Sequence, residues 1–435
     1  MHVNYKKLHF IDKSIYFCCC SHIMRPMDRQ DYSVPRLDSP NEKDQYLDAI
    51  FQGEEPFPWG NGGMGVGFSG ENMVAAVMEE GGIGTLAGSA VGYNPYREGI
   101  YEEPGITSRV ARYEHANQME IARQIGSVRE RMPNGILGVN VMAAMNDFPQ
   151  MIDAIGKSEQ ADMVFVGAGL PRGLGEQVKQ YPHMRYVPIV SSARAAKAMV
   201  KSGIRSGNLP SALYVELPQL AGGHLGAKDA EDAADLEKFD PVRLFREINE
   251  EIEKIVPGHN IALILAGGIT YGSDMEAARE MGYSSGFMAT RVLVTEESGV
   301  SNNLLTSRYL NKDYESKIVI TSPAGLPSRC LGESPSDLEP EIAREARREC
   351  IACIGAGDRC QYLNKEGNGL YCIAKRLSQT QRGEEGGVLF TGARITDMRE
   401  DDLYKDADQR VHIPTVKEAL DFVFDSAKTS RQMAS

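Results

Sequence analysis

The stretch Ile261-Ala262-Leu263-Ile264-Leu265-Ala266-Gly267-Gly268-Ile269 joins an apolar run to a pair of glycines. A short apolar run that ends in turn residues is typical of a buried strand in a parallel sheet. Gly267 and Gly268 follow that run directly, and their backbone N–H groups can face an anion at the strand's carboxyl end. The stretch therefore predicts one βα unit with a binding turn.

Similar apolar or β-branched runs alternate with amphipathic stretches from about residue 57 to 300, which indicates βα units around a parallel sheet. The eight predicted strands are Pro58–Val66, Ile83–Leu86, Ile136–Met142, Met163–Val166, Tyr186–Ser191, Ala212–Leu217, Ile261–Leu265 and Gly286–Leu293. Predicted helices include Glu71–Glu80, Ser108–Arg131, Phe148–Ser158, Ala193–Ser202, Pro241–Val256 and Ser273–Met281, the last with a capping box of Ser273 and Glu276. Eight units predict an α/β fold of the (β/α)8 TIM type.

A doubly wound open sheet is the alternative fold, and it needs a phosphate loop between the first strand and its helix. The glycines from Gly60 to Gly65 precede the predicted helix at Glu71 only loosely, which favours the barrel. The segment from Gly88 to Gln118 is longer than an ordinary βα loop. Its Tyr93, Tyr96 and Tyr101 indicate a lid over the barrel mouth.

The composition of the chain limits the partners and the cellular location that we expect for the protein. The chain has 435 residues and a net charge of −13, which argues against nucleic acid or an anionic membrane as a partner. It contains no run of 18 apolar residues that could span a membrane, and the first 25 residues lack the pattern of a secretion signal. Its eight cysteines form no spaced disulfide framework, so we expect a cytoplasmic protein.

We expect three regions along the chain. Residues 1–50 are predicted to be a disordered lead-in, within which translation could start at Met24 or Met27. Residues 51–330 form the predicted barrel, and residues 331–435 a helical appendage that carries cysteines. The appendage is expected to hold a charged helix at Glu339–Cys350 and a final helix at Thr415–Ser426, and its apolar faces suggest a homodimer.

The strand ends supply the candidate site residues. The strand from Ala212 is followed by Gly222, Gly223 and His224, which predicts a glycine turn with an exposed imidazole that titrates near neutrality. The eighth strand ends at Thr290 and Arg291, whose hydroxyl and guanidinium suit a phosphate beside Gly267 and Gly268. Polar or small residues also close other strands, namely Gly62-Gly63-Met64-Gly65, Asn140, Gly167-Ala168-Gly169 and Ser191-Ser192. Asn140 can donate to and accept from the edge of a heterocycle.

These strand-end motifs resemble those of the FMN-dependent nitronate monooxygenases, formerly called 2-nitropropane dioxygenases, and of the related FMN-dependent enoyl-ACP reductases. The motifs are Gly62-Gly63-Met64-Gly65, Gly138-Val139-Asn140, Ala221-Gly222-Gly223-His224-Leu225-Gly226, Ala266-Gly267-Gly268-Ile269 and Ala289-Thr290-Arg291. The resemblance extends from about Pro56 to Arg329 and includes the segment from Ser322 to Arg329. It is specific for the superfamily and weak for the substrate.

The resemblance implies an FMN across the barrel mouth, with its phosphate on Gly267, Gly268 and Thr290. The flavin ring would lie near Gly63, Met64 and Asn140, and His224 would be the catalytic residue that faces a small-molecule substrate. The cofactor-binding residues that the resemblance implies are Gly62, Gly63, Met64, Asn140, Gly167, Gly222, Gly223, Gly267, Gly268, Ala289 and Thr290.

The implied activity is oxidation of an alkyl nitronate with O2 to a carbonyl compound and nitrite, with His224 removing the α-proton of a neutral nitroalkane. The alternative is an enoyl-thioester reductase that takes hydride from NAD(P)H through FMN. A non-enzymatic barrel that binds a phosphorylated ligand is a third hypothesis. Two departures leave the substrate class open, because the chain has Asn61 where many relatives have Gln, and Val190-Ser191-Ser192 where many have Lys or His.

Cys350, Cys353, Cys360 and Cys372 gather four thiols in 23 residues. The opening Cys-x2-Cys is common in zinc or iron–sulfur sites, but the later gaps of 6 and 11 residues are unusual for such a site. Cys372 also lies in an apolar stretch, where a thiol packs like a small hydrophobe. A bound metal or cluster and a packed free-thiol segment therefore both stay open, and no metal ligand is assigned.

Overall fold

The computed structural model describes residues 29–52, 57–171, 173–319, 322–332, 349–354 and 371–432. Its main sheet has eight parallel strands, which are β1 (Trp59–Asn61), β2 (Gly84–Ala87), β3 (Leu137–Met142), β4 (Met163–Gly167), β5 (Arg185–Val190), β6 (Ala212–Glu216), β8 (Ala262–Ala266) and β9 (Ser285–Met288). A two-residue strand, β7 (Gly223–His224), belongs to a second sheet.

The main sheet is closed into a barrel. β1 pairs with β9 on one side, and Gly60 bridges to Ile83 beside β2 on the other. This closure confirms the predicted (β/α)8 barrel, and the open-sheet alternative is wrong. Gly60, Gly62 and Gly65 have the G-x-G-x-x-G spacing of the phosphate loop that an open sheet would use. Gly62 nevertheless continues the barrel strand, since its N–H donates to the Met288 carbonyl at 2.7 Å.

Helices surround the barrel between the strands, and others precede the first strand or follow the eighth. They are α1 (Pro40–Phe51), α2 (Glu71–Glu79), α3 (Tyr93–Glu98), α4 (Arg109–Arg131), α5 (Phe148–Lys157), α6 (Leu174–Val178), α7 (Ala193–Ser206), α8 (Ala230–Ala233), α9 (Pro241–Ile255), α10 (Gly272–Glu280), α11 (Thr290–Leu293), α12 (Asn302–Leu304), α13 (Ile373–Arg382), α14 (Ile395–Met398) and α15 (Val416–Gln432). In the described part of the chain, none of them has the length and apolar character that crossing a membrane requires.

The predicted capping box is wrong, although the helix it introduced is present. α10 begins after Tyr271, and the Asp274 carboxylate accepts from the N–H groups of Thr270 at 2.9 Å and Tyr271 at 2.8 Å. Ser273 therefore lies inside the first turn of the helix. An Asp can satisfy the orphan donors at a helix start as well as a Ser does, so the Ser-x-x-Glu spacing was coincidental here.

The amino-terminal segment is ordered from residue 29, which corrects the predicted disorder of residues 29–50 within the lead-in; residues 1–28 lie outside the described residues. Ser39 caps α1 by accepting from the Glu42 N–H, and Leu47 and Ile50 of α1 are buried. They pack with residues that begin the barrel strands, such as Met163 and Ala212. α1 therefore closes the barrel at the end opposite the strands' carboxyl termini.

The last helix belongs to the barrel and not to an appendage. Val416, Leu420 and Val423 of α15 are fully buried in one core with Met73 of α2 and Met275 of α10. α15 thus fills the place of the eighth barrel helix, between the helices that follow the seventh and first strands. Residues 299–415, which we call the insert, separate the eighth strand from this helix. The region predicted to be an appendage at residues 331–435 is therefore corrected at both of its ends, to an insert that begins at residue 299 and ends at residue 415.

The insert covers the carboxyl ends of the strands. Its strands β10 (Ser316–Val319) and β11 (Ser328–Leu331) form a three-stranded antiparallel sheet with β7. Leu377 of α13 and Val388 share one core with Phe68 and Tyr93 from the barrel loops. The insert and the barrel are therefore a single packed body in the described residues. The predicted helix at Glu339–Cys350 lies almost wholly outside those residues.

Candidate active site

A cavity of about 230 Å³ lies between the carboxyl ends of the barrel strands and the insert. It is lined by every catalytic and cofactor-binding residue that the family resemblance implies, which are Gly62, Gly63, Met64, Asn140, Gly167, Gly222, Gly223, His224, Gly267, Gly268, Ala289 and Thr290. Arg291, Ser191 and Ser192, which the strand ends also suggested, do not line it. Because the strands are parallel, their carboxyl ends meet at one rim, and motifs 228 residues apart along the chain come together there.

One wall of the cavity is formed by the first and third strand ends. A Cβ atom at Gly63 would lie 2.1 Å from Cβ of Asn140, so only glycine allows this close approach. Asn61 lies just before it and is fully buried. The Asn61 amide donates to the Thr85 carbonyl at 2.9 Å and accepts from the Thr85 N–H at 2.8 Å. Asn61 therefore fixes the strand ends, and it does not line the cavity.

The seventh and eighth strand ends form the opposite wall. Gly267 and Gly268 both have φ +86°, in the region that glycine adopts without strain. A Cβ at Gly267 would lie 2.9 Å from the Leu217 carbonyl, and one at Gly268 would lie 2.6 Å from Cδ1 of Leu220. The Thr290 hydroxyl, also in this wall, accepts from the Gly392 N–H of the insert at 2.9 Å. The wall thus offers a turn of backbone groups beside a hydroxyl.

Arg291 does not join this wall, which corrects its predicted role at a phosphate. Its side chain is fully buried, and its Nη2 donates to Asp401 Oδ2 of the insert at 2.7 Å. Its Nη1 also donates to the Tyr404 hydroxyl at 3.2 Å. The residue next to Thr290 points away from the cavity because the short helix α11 begins there and turns successive side chains in different directions.

His224 lies in the cavity wall at the start of the second sheet, where it pairs with Ser328 of β11. Its Nε2 is 2.6 Å from the Ser322 Oγ, and its ring meets Phe390 edge to face at 5.5 Å between centroids. Burial lowers the pKa of His224 from its ordinary value to about 4. The imidazole is therefore half-buried and neutral, which corrects the predicted exposed group that titrates near neutrality.

Glu216 is a cavity residue that the sequence reasoning missed. It ends β6 and lines the cavity, and its carboxyl group has no hydrogen bond or ion pair with any described residue. Burial raises the pKa of Glu216 to about 8, so this carboxyl group holds a proton at neutral pH. The signal available in the sequence was a lone acidic residue at the end of an otherwise apolar strand.

Backbone strain also concentrates at the cavity. Val66, Ala90 and Ala168 have φ values of 53°, 57° and 50°, although none is glycine, and all three line the cavity. A positive φ is rare for a β-branched residue such as Val66. Such conformations persist where the surrounding structure enforces them, and they cluster at functional sites.

The roof of the cavity comes from the insert and not from the predicted lid. Of residues 88–118 only Ser89 and Ala90 line the cavity, whereas Tyr93 is buried in the core and the Tyr101 hydroxyl donates to Glu120 at 2.8 Å. The roof residues are Cys353, Ile354, Ile373, Ala374, Leu377, Phe390, Thr391, Gly392 and Arg394. Thr391 packs so closely that a Cβ at Gly222 would lie 2.4 Å from its carbonyl carbon. The sequence reasoning missed this roof because nothing local to the insert marks it as adjacent to the strand ends.

For the cysteine cluster, both a bound metal or iron–sulfur cluster and a packed thiol segment stay open. Cys350, Cys353 and Cys372 form no disulfide with one another or with any other described residue, and Cys360 lies outside the described residues. Among the residues that the structure describes, no group of three or more His, Cys, Asp or Glu side chains is arranged to hold a metal ion. Cys353 lines the cavity roof, so this part of the cluster packs against the candidate site.

A (β/α)8 barrel with a glycine-rich cavity and a phosphate-compatible turn at its strand ends defines the class of cofactor-binding barrel enzymes. A family model described as nitronate monooxygenase matches residues 52–405. The chain therefore belongs to the nitronate monooxygenase family, and as a member it is an FMN-dependent oxidoreductase. A comparison with curated proteins found no match.

Solved structures share the fold at low sequence identity. FabK from Thermotoga maritima is 18% identical with a TM-score of 0.57, over 89% of this chain and 97% of that one. Nitroalkane oxidase from Streptomyces ansochromogenes is 18% identical with a TM-score of 0.56, over 87% and 98%. The enoyl reductase domain of MlnA from Bacillus amyloliquefaciens is 14% identical with a TM-score of 0.57, over 92% and 99%. At these identities the likeness shows the fold alone.

Proposed function

We propose that this protein oxidises alkyl nitronates with O2 to carbonyl compounds and nitrite, with FMN held in the cavity at the strand ends. The observation that carries the proposal is the neutral imidazole of His224, which lines the same cavity as the strand-end glycines. When bound, FMN would supply the acceptor for an electron from the nitronate.

The cavity fits the flavin at both of its walls. Gly267 and Gly268 form a turn in which side chains would clash, as a phosphate that contacts backbone N–H groups requires. Gly63 brings the backbone against Asn140, whose amide can bond the edge of a flat heterocycle. Thr290 would hold the phosphate, and Met64 would lie near the ring, as the family resemblance implies.

The neutral imidazole of His224 would position the substrate. Its Nε2 is engaged by Ser322, so Nδ1 remains to meet a substrate oxygen or proton. A base whose conjugate acid has a pKa of about 4 removes a carbon-bound proton poorly at neutral pH. The site therefore suits a nitronate, which has already lost that proton, better than a neutral nitroalkane.

Reduction of an enoyl thioester by NAD(P)H is the second candidate, and Glu216 favours it. Reducing a conjugated double bond requires a proton as well as a hydride, and Glu216 is a protonated acid inside the cavity at neutral pH. NAD(P)H as the hydride donor is part of this candidate only.

The two candidates are separated by anaerobic mixing of the purified, flavin-loaded protein with an alkyl nitronate or with NADPH, followed at the flavin absorbance bands. We expect bleaching by the nitronate. Prompt bleaching by NADPH with no response to the nitronate would overturn the first candidate in favour of the second, and a protein that takes up no flavin would overturn both.

The role of His224 is tested with the H224N variant. We expect it to keep bound FMN, because the phosphate wall is untouched. We expect it to lose most nitronate turnover, because the imidazole that positions the substrate is gone. The matched control is H259N, since His259 lies in the exposed turn between α9 and the amino end of β8 and does not line the cavity. Loss of flavin in H224N alone would show that His224 is structural.

A further inference from the structure

A cationic side chain strengthens a phosphate site built from backbone N–H groups, and the structure places an unexpected one at the cavity. Arg291, the cation expected from the sequence, is enclosed by Asp401 and Tyr404. Among the described residues that line the cavity, Arg394 is the single Lys or Arg. It belongs to the insert, immediately before α14, and nothing in its local sequence distinguishes it from other arginines of that region.

Arg394 is held rigidly at the glycine turn. Its Nη1 donates to the Gly268 carbonyl at 3.2 Å and to the two Asp274 carboxylate oxygens at 2.8 and 2.7 Å. Its guanidinium lies over the Tyr271 ring at 4.9 Å from the centroid, and its Nε faces Asp397 at 3.4 Å. These contacts fix the plane of the guanidinium, so little conformational entropy is lost when it binds an anion.

The remaining donors of Arg394 are available. Its Nη2 has no acceptor among the described residues, and the side chain is 17% exposed and lines the cavity. The Thr290 hydroxyl is in the same condition, because it accepts from Gly392 and its own hydrogen has no acceptor among the described residues. Two unused polar donors thus line the cavity together with Gly267 and Gly268, Thr290 in the same wall and the charged Arg394 in the roof.

We infer that Arg394 binds the phosphate of FMN through Nη2 and that the insert, through this residue, completes the cofactor site. This inference rests on the proposed placement of the phosphate at Gly267, Gly268 and Thr290. Asp274 acts as a positioning residue for Arg394, since its carboxylate is itself fixed by the backbone N–H groups of Thr270 and Tyr271. A guanidinium that bridges a carboxylate and a phosphate uses separate edges of its planar fork.

The test compares FMN with riboflavin, which has the same ring and ribityl chain but no phosphate. Flavin-free protein is titrated with each flavin, and quenching of flavin fluorescence gives the two dissociation constants. We expect R394Q to weaken FMN binding by about 10- to 100-fold, the usual effect of losing a hydrogen bond to a charged group, and to change riboflavin binding less than about twofold.

The matched control is R382Q, which removes the same charge from the insert. Arg382 pairs with Glu98 at the protein surface and does not line the cavity. We expect R382Q to keep the wild-type preference for FMN over riboflavin. R394K keeps a charge without the fork, and we expect about a 3- to 10-fold loss of FMN affinity from it.

The outcomes separate the inference from the proposal beneath it. Wild-type protein that binds neither flavin would refute the proposed cofactor placement. Wild-type preference for FMN that persists in R394Q would overturn the role of Arg394 alone, and so would an equal loss of FMN and riboflavin. If R394Q does not fold, as judged by circular dichroism, the FMN-to-riboflavin ratio of R394K decides in the same way.

Discussion

Substitution of Arg291 by Met tests the distinction between a structural arginine and a cofactor-binding one. The Arg291 side chain is fully buried, and the variant leaves the Asp401 carboxylate, 14% exposed, without its partner at 2.7 Å. It also removes the donor to the Tyr404 hydroxyl and the guanidinium that lies 5.0 Å from the Tyr271 ring centroid. Each of these contacts joins the barrel to the insert or lies beside their junction.

The expected loss of unfolding free energy is about 3–5 kcal/mol, the usual cost of removing one partner of a buried ion pair. Burial already raises the pKa of Asp401 against the opposing effect of Arg291. Without the guanidinium that pKa rises further, and protonation of Asp401 then limits the loss of unfolding free energy. The double variant R291M/D401L removes both charges and should recover part of the loss.

Urea denaturation of the flavin-free protein, followed by circular dichroism, measures the change. R131Q is the surface control, because Arg131 and Glu79 form an exposed pair at 3.3 Å, and we expect a loss below about 1 kcal/mol from it. FMN titration of the folded variant provides the second measurement, in which R291M should retain affinity. Unchanged unfolding free energy together with a more than tenfold loss of FMN affinity would refute the reasoning and return Arg291 to the phosphate.

Two further predictions concern the cavity walls. G268V should weaken FMN binding by more than about tenfold, because the φ of +86° is strained for Val and its Cβ would lie 2.6 Å from Leu220; G258V, at φ +75° with nothing within 4 Å, is the control for strain without obstruction, and equal flavin affinity in both variants would contradict the prediction. E216Q should stabilise the flavin-free protein relative to wild type as the pH rises. The folded-state pKa of Glu216, about 8, lies above the ordinary value of 4.5, so the wild type loses stability between those two pH values as the unfolded chain ionises first. The gain should reach at most about 3 kcal/mol above pH 8, after allowance for the partial exposure of Glu216. Urea midpoints of both proteins at pH 5 and pH 9 measure it, and a pH-independent difference would show that Glu216 ionises normally.

The barrel and its rim were predictable because both depend on local sequence. Apolar runs mark the strands, and the parallel arrangement brings their ends together whatever the loops do. Gly63, Gly268 and His224 therefore lie where their strand-end positions indicated. The structure moved strand bounds most at the first strand, which ends at Asn61 and not at Val66, and at the eighth, where the predicted run to Leu293 includes the helix α11.

The failures share a different cause, which is that long-range packing decides the environment of a side chain. The titration of His224 depends on burial by the insert, about 100 residues later in the chain at Ser322. Arg291 pairs with Asp401 away from the cavity, whereas Arg394, for which the sequence predicted no role, pairs with Asp274 and lines the cavity. No spacing rule within the strand motifs contains that information.

The two ends of the described chain meet, and this has a consequence for biosynthesis. Arg29 donates to Asp421 of α15 at 2.6 Å across 392 positions of sequence, and Tyr32 lies 5.6 Å from Phe424 between ring centroids. Until α15 leaves the ribosome, the grooves beside α2 and α10 stay open and the insert is not anchored at its far end. The ring of helices and the roof over the cavity are thus completed in one late step, so a chain that stops before residue 416 should expose its apolar barrel surface and be degraded before it can retain a cofactor.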